Sequence, residues 1–222
     1  MPYRPTPLFF KVDGKKYFNE RPTSTQQTSW SYVSQMRSWL PREVGGCFWF
    51  GNDDGNIVAY TPIYCSMTVR PECYNTPGAD ELNFSMKNAY WVENWVSNMV
   101  YPRYKVMFPS LKAVRDSLQQ AYFDQQPQVE EAALKMSPEQ RKEYLNNYSI
   151  QQAQQMLARW QQLAFYLVVK YNDMAVKPEE NGVFKRSKHG LGATVQRPGY
   201  PETYARHIVK HTGDKYAYPE EK

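Results

Sequence analysis

The stretch NERPTSTQQTSWSYVSQMRSWLP, residues 19–41, combines the pattern of a β-strand with the side chains of a polar site. Even positions from 30 to 40 are mostly apolar and odd positions from 29 to 37 mostly polar: Trp30, Tyr32, Met36 and Leu40 against Ser29, Ser31, Gln35 and Arg37. This period of two predicts a half-buried strand. A helix with Tyr32, Met36 and Trp39 on one face also fits the spacing. Because residues 28–40 contain no Ala or Glu and are rich in Ser, Val, Tyr and Trp, we favour the strand.

The composition is that of a soluble globular protein. The 222 residues are 41% hydrophobic and 22% charged, which fits one domain or a domain with an appendage. Aromatic residues make up 15% of the chain, which indicates a large aromatic core or pockets for organic ligands. The net charge of +5 is spread along the chain without a basic run, so we expect no binding of nucleic acid.

Targeting signals are not expected in this chain. The opening MPYRPTPLFFKV has no long apolar core and no small-residue cleavage site, so it does not resemble a signal peptide. No apolar stretch is long enough to predict a membrane span. We therefore expect a soluble protein, and the sequence leaves the compartment open between cytoplasmic and exported.

Several other segments in the first third of the chain also predict strands. LFFKV (8–12) is followed by the turn signal Asp13-Gly14, and CFWF (47–50) is followed by the turn GNDDGN (51–56). IVAYTPIYCSMTV (57–69) completes a second hairpin. Pro62 cannot donate a ladder hydrogen bond, so it marks a sheet edge, a bulge or a break.

From Ser85 onward the period becomes helical. Trp91, Trp95 and Met99 repeat every four residues until Pro102. We predict further helices starting at Pro109 and at SPEQ (137–140), and a longest helix opened by a second capping box, SIQQ (149–152). Strands followed by helices predict an α+β fold. We expect residues 1–173 to form the main domain and residues 174–222 a polar tail, rich in Gly and Pro, wrapped on it with a short helix over 201–211.

The histidines and cysteines give little support for a metal site or for a catalytic thiol. His207 and His211 are four apart in a predicted helix and could reach one metal ion, but Lys210 lies beside them and no acidic residue lies between them. A solvated helix end is the simpler interpretation, and we expect no metal and no cofactor. Cys47, Cys65 and Cys73 lie far in sequence from any histidine, which favours buried structural thiols over a nucleophile.

Several motifs together resemble a known family. NERPTSTQQTSWSYVSQMRSWLP is followed by VGGCFWFGNDD, AYTPIYCS, RPECY and SMKNAYWVENWVSNMVYPRY, and later by ARWQQLAFYLVVKYND and RPGYPETYARHIVKHTGD. In this order they resemble the dipeptidase A family of cysteine dipeptidases, relatives of the secernins. The resemblance extends from about Leu8 to Gly213.

This resemblance implies an N-terminal-nucleophile hydrolase with a four-layer αββα sandwich. In such enzymes a cysteine at the mature N-terminus attacks a dipeptide, with its own α-amino group as base. The chain resembles only the C-terminal half of that family, and no cysteine here matches the nucleophile. We therefore expect the chain to be inactive alone, to need the upstream half of the hydrolase or self-association, and to take a dipeptide only in the complete enzyme.

The resemblance also suggests candidate site residues, although it specifies them less closely than it specifies the fold. In more distant relatives, the bile-salt and penicillin-acylase-like hydrolases, a late strand arginine supports the nucleophile, and Arg37 is the best-placed match. Its guanidinium could hold a substrate carboxylate or an acyl-enzyme oxygen, or it could form a structural salt bridge. Gln35 shares its face of the predicted strand. The other candidates for substrate binding are Arg21, Trp30, Asn52 and Asp53.

Two other functions stay open at this point. The chain could be a non-catalytic binding or structural module that pairs with another chain through its aromatic surface. It could also be a metal-dependent enzyme centred on His207 and His211, which the missing acidic ligand makes the weakest of the three hypotheses.

Overall fold

The computed structural model describes residues 7–20 and 22–219 and divides into two compact units, Met1–Leu167 and Val168–Lys222. Strands come first along the chain and long helices follow, so the fold is α+β as predicted. The strands of the first unit are β1 (Phe9–Val12), β2 (Lys15–Phe18), β3 (Trp30–Met36), β4 (Gly46–Asn52) and β5 (Thr61–Tyr64).

Among the described residues of the first unit, the α-helices are a short α1 and three longer ones. They are α1 (Arg42–Gly45), α2 (Ala89–Val100), α3 (Tyr104–Leu134) and α4 (Pro138–Tyr171), the last of which continues past the unit boundary. None of the helices in the described residues is both long and apolar enough to span a membrane.

The hairpin of β1 and β2 follows from its turn residues. Asp13 and Gly14 have φ angles of 50° and 78°, which is the left-handed region that a two-residue hairpin turn requires. The strands pair antiparallel, with Phe9 opposite Phe18 and Val12 opposite Lys15. The turn predicted at Asp13-Gly14 is confirmed.

The central sheet has the antiparallel order β3–β4–β5. The strand predicted at residues 30–36 is confirmed, and Pro62 lies in the outer strand β5, where a missing donor is tolerated. The segment Ile57–Ala59, predicted as strand, is instead a buried connection between β4 and β5.

Helix α2 begins where the side chain of Asn88 accepts a hydrogen bond from the Trp91 amide, and it ends before Pro102. Its buried side includes Val92, Val96 and Val100. The next helix, α3, begins at Tyr104 rather than at Pro109, so that predicted boundary was wrong.

One predicted capping box is confirmed and the other is not. The Ser137 amide donates to Gln140 Oε1 (3.1 Å), and the Gln140 amide donates to Ser137 Oγ (3.3 Å), which is the reciprocal pattern of a capping box at the start of α4. Ser149 opens no helix, because α4 runs straight through it. Its hydroxyl oxygen instead accepts the Tyr64 amide of β5 at 3.2 Å.

The core of the first unit lies where α3 and α4 pack against the sheet. Trp49 of β4 meets Phe123 of α3 with ring centroids 5.1 Å apart, and Tyr64 of β5 meets Tyr148 of α4 at 6.3 Å. The largest fully buried side chains of this core include Trp160, Tyr64, Tyr122, Ile57, Leu111 and Leu145.

The second unit contains the antiparallel pair β6 (Glu179–Glu180) and β7 (Val183–Phe184) and the exposed helix α5 (Glu202–Thr212). Lys170 and Glu179 form an ion pair at 2.7 Å within it. The short helix predicted over 201–211 is confirmed as α5.

Candidate functional site

Register places four rings on one face of the sheet, which we call the aromatic face: Trp30, Tyr32, Phe48 and Phe50. Tyr32 stacks on Phe48 with centroids 4.2 Å apart, and Trp30 stacks on Tyr32 at 5.7 Å. Trp30 and Tyr32 are 56% and 46% exposed. Both rings are therefore presented to solvent, although a half-buried strand was expected to turn its apolar positions inward.

The opposite face of β3 contacts the rest of the protein through Gln35, whereas Val33 on the same face is exposed. Gln35 Oε1 accepts hydrogen bonds from Trp49 Nε1 (3.1 Å) and from Gln126 Nε2 of α3 (2.7 Å). Gln35 and, just beyond β3, Arg37 are half-buried, and α3 supplies an amide and a carboxylate partner for them, which offsets their partial desolvation. Gln35 therefore faces Trp49 and α3 rather than an open site.

Arg37 follows β3 and is held by a bidentate ion pair. Its Nη1 and Nη2 donate to the two carboxylate oxygens of Glu130, each at 2.6 Å, and Nη2 also donates to the Val44 carbonyl at 3.0 Å. The hydroxyl of Tyr64 donates to Glu130 Oε1 at 2.8 Å. The hydrogen bond with Glu130 raises the pKa of Arg37, and burial followed by the charge of Glu130 raises that of Tyr64.

The structure brings only some of the predicted site residues together. Trp30 and Asn52 are direct partners in the β3–β4 register, so both belong to one end of the aromatic face. Gln35 lies on the opposite face, and Arg37 is engaged by Glu130 near the end of β3. The remaining predicted residue on this stretch, Arg21, lies outside the described residues.

Asp53 is buried in the turn after β4 and linked to α2. Ser97 Oγ donates to its Oδ2 at 2.5 Å, and Asn94 Nδ2 donates to its Oδ1 at 3.1 Å. Desolvation raises the pKa of Asp53 to about 6 in spite of these hydrogen bonds. Its φ of 63° is in the left-handed region that Asp and Asn tolerate better than most residues.

Two more carboxyl groups are buried beside Asp53. Burial raises the pKa of Glu93 well above its ordinary value, and the charge of Asp53 raises it further. The side chain of Asn52 lowers this pKa through a hydrogen bond, without offsetting the rise. Burial likewise raises the pKa of Asp54, whose Oδ1 accepts the Asn56 amide at 2.9 Å. In all three carboxyl groups burial favours the protonated form.

The cysteine environments do not favour a thiolate. Burial raises the pKa of both Cys47 and Cys73 to about 12, even though the charge of Arg37 lowers that of Cys47. Cys65 is exposed, and partial desolvation raises the pKa of its thiol as well. A nucleophilic cysteine needs a lowered pKa. The pKa of each of these three thiols is raised instead.

The histidine pair lies on the exposed helix α5. The rings of His207 and His211 are stacked with centroids 6.4 Å apart, and both are exposed. Within the described part of the chain, no group of three or more His, Cys, Asp or Glu side chains is placed to hold a metal ion.

Sequence reasoning missed the helix residues that complete these clusters. Glu130 and Gln126 of α3 and Ser97 and Glu93 of α2 were not singled out. A signal exists for the α2 pair, because Glu93 and Ser97 are four apart and follow directly on the buried Val92 and Val96. Such spacing places polar groups beside the buried stripe of a helix.

The model of peptidase family C69, the family of dipeptidase A and the secernins, matches residues 7–117, which is half of the chain. The chain belongs to peptidase family C69. No curated protein matches it. The C69 match runs from just before β1 into α3, so it contains the aromatic face, Arg37 and Asp53.

Membership of family C69 makes this chain a peptidase-family hydrolase. The matched residues include β3, β4, β5 and α2. These elements carry the aromatic face and the buried contact between Asp53 and Ser97. Glu130 and Gln126 lie beyond residue 117, so the partners that fix Arg37 and Gln35 come from outside the C69 match.

Proposed function

We propose that the chain is part of a C69-type cysteine dipeptidase that hydrolyses the peptide bond of dipeptides. The observation that carries this proposal is the C69 match over residues 7–117. The nucleophile is an N-terminal cysteine supplied from residues other than Cys47, Cys65 and Cys73, because the pKa of each of these thiols is raised. An N-terminal cysteine carries its own base, the α-amino group, which none of these three has.

The aromatic face is the surface that the rest of the enzyme covers. An exposed sheet face with Trp30 and Tyr32 stacked on it resembles the inner side of a two-sheet sandwich more than a solvated surface. The upstream half of the hydrolase supplies the second sheet, giving the αββα arrangement, and the dipeptide binds between the two.

Roles for the site residues follow from their positions. Trp30 and Asn52 contact the dipeptide from the aromatic face. Arg21 stays a further proposed substrate-binding residue, outside the described residues. Arg37, Gln35 and Asp53 support this surface from behind: the first two fix β3 on α3, and Asp53 fixes the end of β4 on α2. Arg37 supports the nucleophile through this positioning.

A second candidate function is a non-catalytic module that binds a peptide or another chain through the aromatic face. The exposure of Trp30 and Tyr32 favours it, because an exposed apolar surface of this kind marks interaction sites. It differs from the first function in one outcome: a bound peptide survives intact.

The test is hydrolysis of a panel of dipeptides, scored as release of free amino acids. We expect no turnover by the purified chain alone and turnover when it is co-expressed with a segment bearing the N-terminal cysteine. A Trp30→Gln/Asn52→Ala variant of the complemented enzyme should lose substrate affinity, while Lys105→Gln, a change at an exposed position outside this face, should not. Binding without hydrolysis in both preparations would support the module instead.

Turnover by the chain alone would contradict the proposed source of the nucleophile. A Cys47→Ser/Cys65→Ser/Cys73→Ser variant then identifies whether one of the three thiols reacts. Loss of turnover in that variant would place the nucleophile within this chain.

A further inference from the structure

A cavity of about 930 Å³ opens at the end of the central sheet. Its walls come from the end of β3, from α1, from the start of β4 and from the residues after β5, and Lys142 of α4 also lines it. This volume is at the upper end of the range found for small-molecule pockets. All of the lining residues belong to the first unit.

The charges in the cavity wall do not balance. Arg37 is neutralised by Glu130 (2.6 Å), and Glu43 is neutralised by Arg141 (3.1 Å). Arg42 and Lys142 remain, and both are exposed and form no ion pair with any residue of ranges 7–20 and 22–219. A concave surface with excess charge of one sign concentrates the field that attracts an anion.

The other lining groups indicate what kind of anion fits. The hydroxyl groups of Ser38 and Thr68 line the cavity, and neither makes a hydrogen bond to another described residue. Beside them lie the apolar side chains of Met36, Leu40 and Met67. Hydroxyl donors suit carboxylate oxygens, and flexible thioethers adapt to an apolar group of variable shape.

We propose that this cavity, the carboxylate cavity, binds a small organic carboxylate that carries an apolar substituent. The carboxylate is held by Arg42 and Lys142 with the hydroxyl groups nearby, and the apolar substituent packs on the two methionines and Leu40. The inference does not depend on the proposed peptidase function, since it concerns binding and not turnover.

Cys65 offers a local reporter for the cavity. Its thiol lines the same cavity and is exposed, whereas Cys47 and Cys73 are buried. A Cβ added at Gly46 would lie 3.0 Å from Cys65 Sγ, so this thiol sits directly against the start of β4. A ligand in the cavity should therefore hinder alkylation of Cys65 by iodoacetamide.

The test compares N-acetyl-leucine with its uncharged amide. Calorimetry should detect saturable binding of N-acetyl-leucine and binding at least about tenfold weaker for the amide, because hydrogen bonds to a charged carboxylate are stronger than those to a neutral amide. N-acetyl-leucine should also slow alkylation of Cys65, as followed by mass spectrometry. Raising NaCl from about 0.05 M to about 0.5 M should weaken binding several-fold through screening.

Variants separate the cavity from general surface charge. Arg42→Gln/Lys142→Gln should weaken N-acetyl-leucine binding at least about tenfold. The matched control, Lys87→Gln/Lys105→Gln, removes the same charge at exposed positions away from the cavity and should leave binding unchanged. Circular dichroism checks that each variant keeps its fold.

Any of four results would overturn the inference. No saturable binding by calorimetry rules out a carboxylate site. Equal binding of the amide, or full binding by the Arg42→Gln/Lys142→Gln variant, removes the role of the two cations. An affinity for inorganic phosphate equal to that for N-acetyl-leucine would show that the apolar side chains of the cavity do not contribute to binding.

Discussion

Arg37 at the end of β3 and Glu130 in α3 are 93 residues apart in the chain and form two parallel hydrogen bonds of 2.6 Å. Both side chains are nearly buried, with exposed fractions of 13% and 12%. Glu130 also accepts the Tyr64 hydroxyl, so one carboxylate joins β3, β5 and α3. The pair thus fixes the sheet on the helix layer. The sequence left a structural salt bridge open for Arg37 but did not identify Glu130 as the partner.

Removing one member of this pair should be strongly destabilising. Glu130→Gln leaves the guanidinium of Arg37 without a counter-charge, and we expect a loss of about 3 kcal/mol in the free energy of unfolding. The combined variant Arg37→Leu/Glu130→Leu should recover part of that loss, because it removes the buried charges together. Urea unfolding followed by tryptophan fluorescence measures both values. Equal losses for single and combined variants would mean that the two charges are not coupled.

Stability should fall as pH rises through the range set by Asp53. Its pKa is about 6 in the folded chain, above its ordinary value of 3.8, so folding favours the protonated form. The contribution is complete below pH 4 and is lost between about pH 4 and pH 6, by about 3 kcal/mol at most. Burial of Asp54 and Glu93 acts with the same sign.

The Asp53→Asn variant isolates this contribution. Asn does not ionise, and it tolerates the left-handed backbone at this position. The free energy of unfolding should therefore vary less between pH 4 and pH 7 in the variant than in the parent chain. Identical pH profiles for the two proteins would show that Asp53 does not titrate abnormally.

Gly45 is required by a close approach between backbones. A Cβ at this position would lie 2.6 Å from the carbonyl oxygen of Arg37. Since backbone cannot move aside as a side chain can, Gly45→Ala should destabilise the chain by about 1–3 kcal/mol. Gly199→Ala is the control, because a Cβ there meets no atom within 4 Å. Thermal unfolding of the two variants makes the comparison, and equal melting temperatures would contradict the expected clash.

The aromatic face should dominate dye binding by the isolated chain. Trp30→Gln/Tyr32→Thr removes exposed rings, so we expect lower fluorescence of anilinonaphthalene sulfonate with little loss of stability. Leu82→Gln is the matched control, because Leu82 is 92% exposed but belongs to no ring cluster. An unchanged signal in the double variant would show that the dye binds elsewhere.

Strand β3 shows which features of the fold can be predicted from the sequence and which cannot. Alternation over residues 29–40 predicts the strand correctly, because period two is a local property of the pleat. It does not predict that Gln35 and Arg37 lie half-buried against the protein, since that depends on their partners Gln126 and Glu130 in α3. Local pattern carries no information about a partner 91 or 93 residues away.

Helix boundaries show the same limit. The capping box at Ser137 is local and was predicted correctly, with its partner Gln140 three residues on. The similar motif at Ser149 was misinterpreted, because its hydroxyl serves the Tyr64 amide of β5 and not a helix start. The membership of family C69, in contrast, depends on long ordered motifs and was predicted from the sequence.

The hydroxyl of Ser149 has a consequence for how the sheet can be extended. Along the outer side of β5 the Tyr60 amide donates to Gln119 (2.8 Å), Pro62 has no amide hydrogen, and the Tyr64 amide donates to Ser149 (3.2 Å). An added strand needs free backbone N–H donors on the edge strand with which to form hydrogen bonds. This border of the sheet is therefore sealed by helix side chains, and any added strand, from a partner or from an aggregate, must join beside β3.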